Sequence, residues 1–281
     1  MSASDDRHLQ HGKVVDNPWR RLRDFTDARI GLGRAGISLP TSEMLAFQLS
    51  HAQARDAVHF PLDVDALCAQ LAGLSSLPNA APLHLHSQAQ DRTTYLQRPD
   101  LGRLLDDASR EQLAALPAAS SQSDLAIVIV DGLSSLAVQQ NAPAFLAPLL
   151  ELLQAEAEPW RLAPVTVVEQ GRVAVGDGIG ELLNARAVLL LIGERPGLSS
   201  PDSLGLYLTW NPRSGLNDAA RNCISNVRPA GLPYAEAARR VLYLLREARR
   251  LNLSGVKLKD RTQDEVIEHS GGSGKNFLVS E

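Results

Sequence analysis

Cysteine is scarce in this chain: Cys68 and Cys223 are the only two thiols among 281 residues. They stand far apart, fit no metal-ligand spacing and frame no disulfide scaffold. The sequence therefore reads as that of a protein from a reducing compartment. Aromatic residues make up only 4% of the chain, so Ala and Leu must build the core, which favours helices and helix-on-sheet layers over an all-β sandwich. A formal net charge of -4 offers nucleic acid no general basic field. No apolar run approaches the length of a membrane span, and residues 1–8 have no apolar core of a signal peptide. The expectation is a cytoplasmic protein without nucleic-acid or membrane partners. Arginines cluster at Arg20, Arg21 and Arg23, and again at Arg239, Arg240, Arg246, Arg249 and Arg250. The second set, interleaved with Leu and Ala, reads as a solvated helix face or a subunit contact.

What is present is most informative at residues 187–192, a short apolar run followed at once by Gly193-Glu194-Arg195-Pro196-Gly197-Leu198. Such a run, closed by Gly and Pro, predicts a strand buried on both faces, as in parallel sheets covered by helices. In open sheets of that type, ligands sit outside the carboxyl ends of the strands, so Glu194 marks an expected ligand position. Residues 124–130, 165–168 and 204–209 predict further strands. Helices are expected near 19–29, 41–58, 66–74, 99–116, 134–156, 178–184 and 234–251, with Pro143 and Pro148 interrupting the fifth.

Strand and helix alternate after residue 124. The expected fold is α/β, a Rossmann-like doubly wound, mostly parallel sheet with a helical N-terminal extension. Residues 1–16 read as a flexible N-terminus and 17–118 as a helical region. Residues 119–260 read as the Rossmann-like domain and 261–281 as a polar, flexible tail.

Gly176-Asp177-Gly178-Ile179-Gly180 is a candidate phosphate-cradling loop. Its spacing departs from the dinucleotide fingerprint, Asp177 would repel phosphate and no Walker lysine follows. The alternative is a tight strand-to-helix turn. Cys223, in the polar stretch 222–228, could be a nucleophile, but no obvious His partner lies in that half of the chain. A small thiol in a pocket wall is the plainer reading. The seven histidines form no metal set, and no catalytic constellation is visible by spacing.

Several segments, in order, resemble the ethanolamine ammonia-lyase small (light) subunit family. They are Asp16-Asn17-Pro18-Trp19, residues 26–34 (Thr26 to Arg34), Asp131-Gly132-Leu133-Ser134, residues 193–198 and Cys223-Ile224-Ser225-Asn226. The resemblance runs from about residue 16 to Asp260 and leaves out the tail. It implies a subunit of an ammonia-lyase that converts ethanolamine to acetaldehyde and ammonia with adenosylcobalamin. The partner it implies is a large (β/α)₈-barrel subunit that holds the substrate, several large/small pairs forming a hetero-oligomer with cobalamin between the chains. The cobalamin contacts carried over are Val173, Glu194 and Cys223, with no catalytic residue and no metal ligand in this chain. No Asp-x-His-x-x-Gly sequence occurs, so the resemblance implies base-on binding, with the cofactor's own dimethylbenzimidazole on cobalt. The family is often enclosed in bacterial microcompartments, although this N-terminus shows no clear amphipathic helix. Two other readings stand beside it: a nucleotide-binding Rossmann-like enzyme built on residues 176–180, and a non-catalytic scaffold using the Arg-rich helix as interface.

Overall fold

A computed structural model describes residues 17–74, 77, 81–116 and 122–261. The expected flexible N-terminus at 1–16, the break near residue 118 and the tail beyond Arg261 lie outside the described residues. The chain folds as two compact units, Met1–Gln53 and Ala54–Glu281.

In the first unit, Asn17 accepts from the Trp19 N–H and caps a 3-10 turn at Pro18–Asp24, shorter than the helix expected there. Pro40 precedes α1 (Thr41–His59), and its carbonyl accepts the first amides of that helix. Arg23 reaches Glu43 at 2.8 Å and Arg20 reaches it at 3.1 Å.

The second unit is an α/β structure around one six-stranded sheet. Its strands are β1 (Leu83–His86), β2 (Ser123–Val130), β3 (Thr166–Glu169), β4 (Ala185–Gly193), β5 (Leu204–Trp210) and β6 (Arg221–Val227), in the order β1-β3-β2-β4-β5-β6. The first four in that order run parallel, with β2 and β4 paired from Ser123–Ala185 to Val130–Ile192. β5 is antiparallel to β4, and β6 to β5. The sheet is therefore mixed, and the expected parallel arrangement accounts for four of the six strands. The reason lies in the connections. A parallel neighbour needs a crossover of a dozen or more residues, usually helical, whereas an antiparallel one does not; residues 194–203 join β4 to β5 without a helix.

Helices cover both faces. On one lie α2 (Val64–Ala72), α5 (Ser135–Gln154) and α7 (Tyr234–Leu251), which bury Leu67, Phe145, Leu149 and Leu245 against Ile127, Leu189 and Leu206. On the other lie α4 (Asp107–Ala114) and α6 (Val175–Leu182), packing Leu113 and Ile179 on Val128, Val188 and Leu190. β2 and β4 are buried on both sides, which explains their unbroken apolar sequence. Side-chain oxygens of Asp63, Asp106 and Ser134 cap α2, α4 and α5, satisfying amides that the first helical turn leaves without partners.

Three local expectations are corrected. The helix over 99–116 is instead a 3-10 turn (Leu101–Arg103) followed by α4, and α3 (Arg92–Gln97) precedes it. Neither helix nor strand is expected over 75–98, yet that stretch contributes β1 as well as α3. Residues 176–180 form neither a phosphate loop nor a turn, because α6 starts at Val175 and all three glycines are helical. They permit close packing: a Cβ on Gly176 would meet Leu190 Cδ1 at 2.7 Å, and one on Gly180 would run into Val188 and Pro212.

Candidate functional site

The carboxyl ends of β2, β3 and β4 share one edge of the sheet. Asp131 follows β2 there and is buried. Its carboxylate accepts the backbone N–H groups of Gly132 (2.7 Å), Gln170 (2.9 Å) and Gly171 (3.1 Å). Burial pushes its carboxyl up to about 6, against those three donors and the nearby Arg92 guanidinium. Arg92, on α3, sits 3.6 Å from Asp131 and donates to the Gly132 carbonyl at 2.8 Å and the Val58 carbonyl at 2.6 Å. One carboxylate thus ties the end of β2 to the loop after β3. The next strand end is held as closely: the Leu133 amide donates to the Gly193 carbonyl at 2.9 Å. A Cβ at Gly193 would lie 2.6 Å from the Asp131 carbonyl oxygen, so the corner following β4 requires glycine.

Glu194 leaves this corner half-buried, while Arg195 is exposed. Its Oε2 accepts from the Ser203 hydroxyl and, at 3.2 Å, from the Asn226 amide. Both bonds fall on Oε2, which leaves Oε1 as an acceptor. Oε1 lies over Gly205, where a Cβ would come within 2.9 Å of it.

The alternation of β5 identifies the face on which this happens. Leu204, Leu206 and Leu208 point into the core under α5 and α7, so Gly205 and Tyr207 point the other way. Tyr207 packs at the margin of the apolar cluster under α4 and α6, as does half-buried Val173. Cys223 on β6 pairs with Tyr207 in register. It is exposed, with its Sγ 3.4 Å from the Ser225 hydroxyl. The Tyr207 hydroxyl is pushed above its ordinary range, first by burial, then by hydrogen bonding to Cys223 and by the charges of Cys223 and Glu194. The fold therefore brings Glu194 and Cys223 together around Tyr207, on the side of the sheet that carries α6. Val173, in the turn between β3 and α6, borders the same cluster.

At the start of β6, Arg221 is buried and pairs with Asp177 of α6 and with Asp218, the latter at 3.2 Å. Burial pushes the Asp177 carboxyl up to about 6, with the Arg221 charge opposing. The charge that argued against phosphate in the sequence is thus committed to an internal ion pair. A cavity of about 570 Å³ opens beside α6, lined by Arg103, Arg110, Val175, Asp177, Glu181 and Leu216 among others. It includes none of Val173, Glu194 and Cys223.

Two neighbours of the site escape sequence reasoning. Ser203 is recognisable only once β4 and β5 are paired, whereas Asn226, named with the Cys223 segment, is set beside Glu194 by the pairing of β6. Tyr207 left one signal, an aromatic side chain within the otherwise aliphatic run 204–208 of an aromatic-poor chain.

Residues 16–259 match the protein family described as ethanolamine ammonia-lyase light chain (EutC). The chain is similar to the ethanolamine ammonia-lyase small subunit of Pseudomonas aeruginosa (strain UCBPP-PA14), 57% identical over 98% of this chain and 99% of that one. It is 55% identical to the small subunit of Ralstonia nicotianae, over 98% and 99% of the two chains. With that of Azotobacter vinelandii it shares 58% identity over 95% and 97%.

Proposed function

The chain belongs to the ethanolamine ammonia-lyase light chain family, and from that membership we propose that it is the small subunit of a lyase converting ethanolamine to acetaldehyde and ammonia. On this reading it works with a large subunit that holds the substrate, and it lends one wall to an adenosylcobalamin site shared by the two. The part of the second unit over residues 119–260 then serves as a Rossmann-like cobalamin-binding domain. Several large/small pairs assemble in the cytoplasm.

The residues present fit such a group. Cobalamin is a broad, largely apolar ring system edged with amide N–H donors, and it needs carboxylate or carbonyl acceptors around a surface free of bulky side chains. Glu194 supplies the acceptor Oε1, with Oε2 already held by Ser203 and Asn226. Gly205 leaves room for that carboxylate, and Val173 and Cys223 are small. When bound, the cofactor would supply the radical chemistry. Glu194 would accept hydrogen bonds from amide N–H groups at the ring edge and fix its orientation. Cys223 and Val173 pack against it, and Tyr207 backs Cys223. None of these residues transfers a proton to substrate.

The observation that carries this reading is the placing of Glu194 and Cys223 on one face around Tyr207, with a glycine beneath the free carboxylate oxygen. The nucleotide alternative loses its loop, since residues 176–180 are the interior of α6.

A visible-spectrum titration of adenosylcobalamin tests the proposal, run with the chain alone, with a large subunit of the family, and then with ethanolamine. A spectral change and acetaldehyde only with both chains is the expected result. A folded mixture that binds no cobalamin overturns it.

A further inference from the structure

The amide that holds Glu194 comes from an irregular point of β6. Leu204 pairs with Val227 and Leu206 with Ile224, so Ser225 and Asn226 stand opposite the single residue Gly205. That is a β-bulge, in which one strand carries an extra residue and the ladder is locally broken. Asn226 takes the left-handed conformation there, with φ 61°, which asparagine tolerates better than most side chains. Its N–H donates to the Glu194 side chain, reaching Oε2 at 3.2 Å. The bulge is held by Arg228. That residue is 7% exposed, and its Nε donates to the Asn226 side-chain oxygen at 2.9 Å. Its Nη1 stands 3.5 Å from Asp202, in the segment 194–203 that also carries Glu194 and Ser203. The Asp202 carbonyl accepts from Asn141 of α5 at 2.7 Å, and the Asn141 side-chain oxygen accepts from the Tyr234 hydroxyl of α7 at 2.6 Å. The Leu232 amide donates to the Asn226 carbonyl at 2.7 Å, and the Arg228 amide to the Leu232 carbonyl at 3.2 Å. A Cβ on Gly231 would come within 2.7 Å of Asn226 Cγ, so the turn after β6 lies directly against the bulge. Burying a guanidinium is costly unless it is paired and hydrogen-bonded. Here one buried cation joins the two segments that meet at the Glu194 carboxylate.

We propose that Arg228 is a positioning residue for the cofactor site: by gripping Asn226 and Asp202 it sets the two donors, the Asn226 amide and the Ser203 hydroxyl, that orient Glu194. The inference deepens the reading above and rests on Glu194 accepting from the cofactor. Both donors are uncharged and both bind Oε2, so where they are held decides where Oε1 points. The bulge and the bare Gly205 opposite it thereby serve one carboxylate, the first by donating to Oε2 and the second by leaving room for Oε1. Arg228 acts on Glu194 through Asn226 and Asp202, and losing it should loosen the aim of the carboxylate without removing it.

The test measures adenosylcobalamin affinity of the two-subunit complex by spectral titration, in a double-mutant cycle with Glu194→Ala. Asn226→Gly keeps the bulge amide and suits the left-handed backbone, but removes the oxygen that Arg228 holds. Arg228→Met keeps a long buried side chain and removes its donors. Each should lower affinity about threefold to tenfold, the net worth of one hydrogen bond. In the Glu194→Ala background each should cost less than about twofold more, because no carboxylate is left to orient. A general loosening of the fold would cost the same factor in both backgrounds, and equal costs overturn the proposal while leaving the cofactor reading standing. Unchanged affinity of both single variants also overturns it. A Glu194→Ala complex that binds cobalamin as tightly as the unchanged one removes the role of Glu194 on which the inference rests, and the inference falls with it. Should Arg228→Met fold poorly, Asn226→Gly decides by the same comparison.

Discussion

The Glu194 carboxylate occupies the space that a side chain at position 205 would fill. A Cβ on Gly205 would approach Glu194 Oε1 to 2.9 Å and its Cγ to 3.0 Å. Glycine on β5 is thus coupled to the orientation of an acidic group that follows β4. Gly205→Ala should displace the carboxylate and weaken cobalamin binding, as Glu194→Gln should by removing its charge. A hydrogen bond to a charged acceptor contributes about 1.5–3 kcal/mol, or roughly 10- to 100-fold in affinity. Spectral titration of the two-subunit complex gives the affinity, and turnover at saturating cobalamin should change far less. Unchanged affinity with reduced turnover would remove Glu194 from the binding role.

Thiol labelling separates the two cysteines. Cys223 is exposed, whereas Cys68 is half-buried, and burial, assisted by Asp65, pushes its thiol up. The thiolate is the reacting form, so an aromatic disulfide reagent at neutral pH should modify Cys223 first. Peptide mapping identifies the site. Cobalamin added to the complex should slow modification of Cys223 and leave Cys68 unaffected. Equal protection of both, or of neither, argues against Cys223 lining the cofactor site.

The glycines of α6 should respond oppositely to alanine. At Gly180 a Cβ would run into Val188 and Pro212, while at Gly178 it meets only the Ser214 hydroxyl, at 3.6 Å. Gly180→Ala should destabilise the fold by about 1–3 kcal/mol, the usual cost of overpacking. Gly178→Ala should stabilise it by up to about 1 kcal/mol through helix propensity and lost unfolded-state freedom. Urea unfolding of the two variants side by side measures both. A Gly180→Ala protein as stable as the parent would mean that α6 stands further from β4 than described.

Asp131 should leave a mark on stability against pH. Its folded carboxyl is pushed up to about 6 from an ordinary 3.8. Between those values the unfolded chain gives up its proton while the folded chain keeps it. The Asp131 contribution therefore falls as pH rises from about 4 to about 6 and stays flat above, a change of about 3 kcal/mol at most. Other carboxylates, such as Glu43 and Glu156, are held low by arginines and act in the opposite direction, so the informative quantity is a difference. Unfolding free energy of the parent minus that of Asp131→Asn should fall across this window. A difference that rises with pH instead would show that the three amide donors outweigh burial.

Much of this protein was legible without coordinates. The apolar runs of β2 and β4 identify strands buried on both faces because no polar residue could be accommodated on either side. The pairs Asp63/Asp65 and Ser134/Ser135 announce the starts of α2 and α5 because short polar side chains satisfy amides a helix leaves open, and the structure selects Asp63 and Ser134. Glu194 stands out because a charge directly after such a strand calls for a partner. Family motifs, read in order, indicated the family that residues 16–259 match. What the sequence could not decide concerns pairing and approach. β6 buries Arg221, Ile224 and Val227 and exposes Cys223, Ser225 and Asn226. A register irregularity opposite Gly205 breaks the period of two, and the segment reads as loop. The glycines of α6 mimic a phosphate loop because composition does not distinguish a backbone left bare for a ligand from one left bare for a neighbouring strand. Local preferences act over a few residues, and sequence alone expresses them. Only the tertiary structure lays β5 beside β4 and places the Glu194 carboxylate over Gly205, because strand order and register depend on contacts between residues remote in the chain.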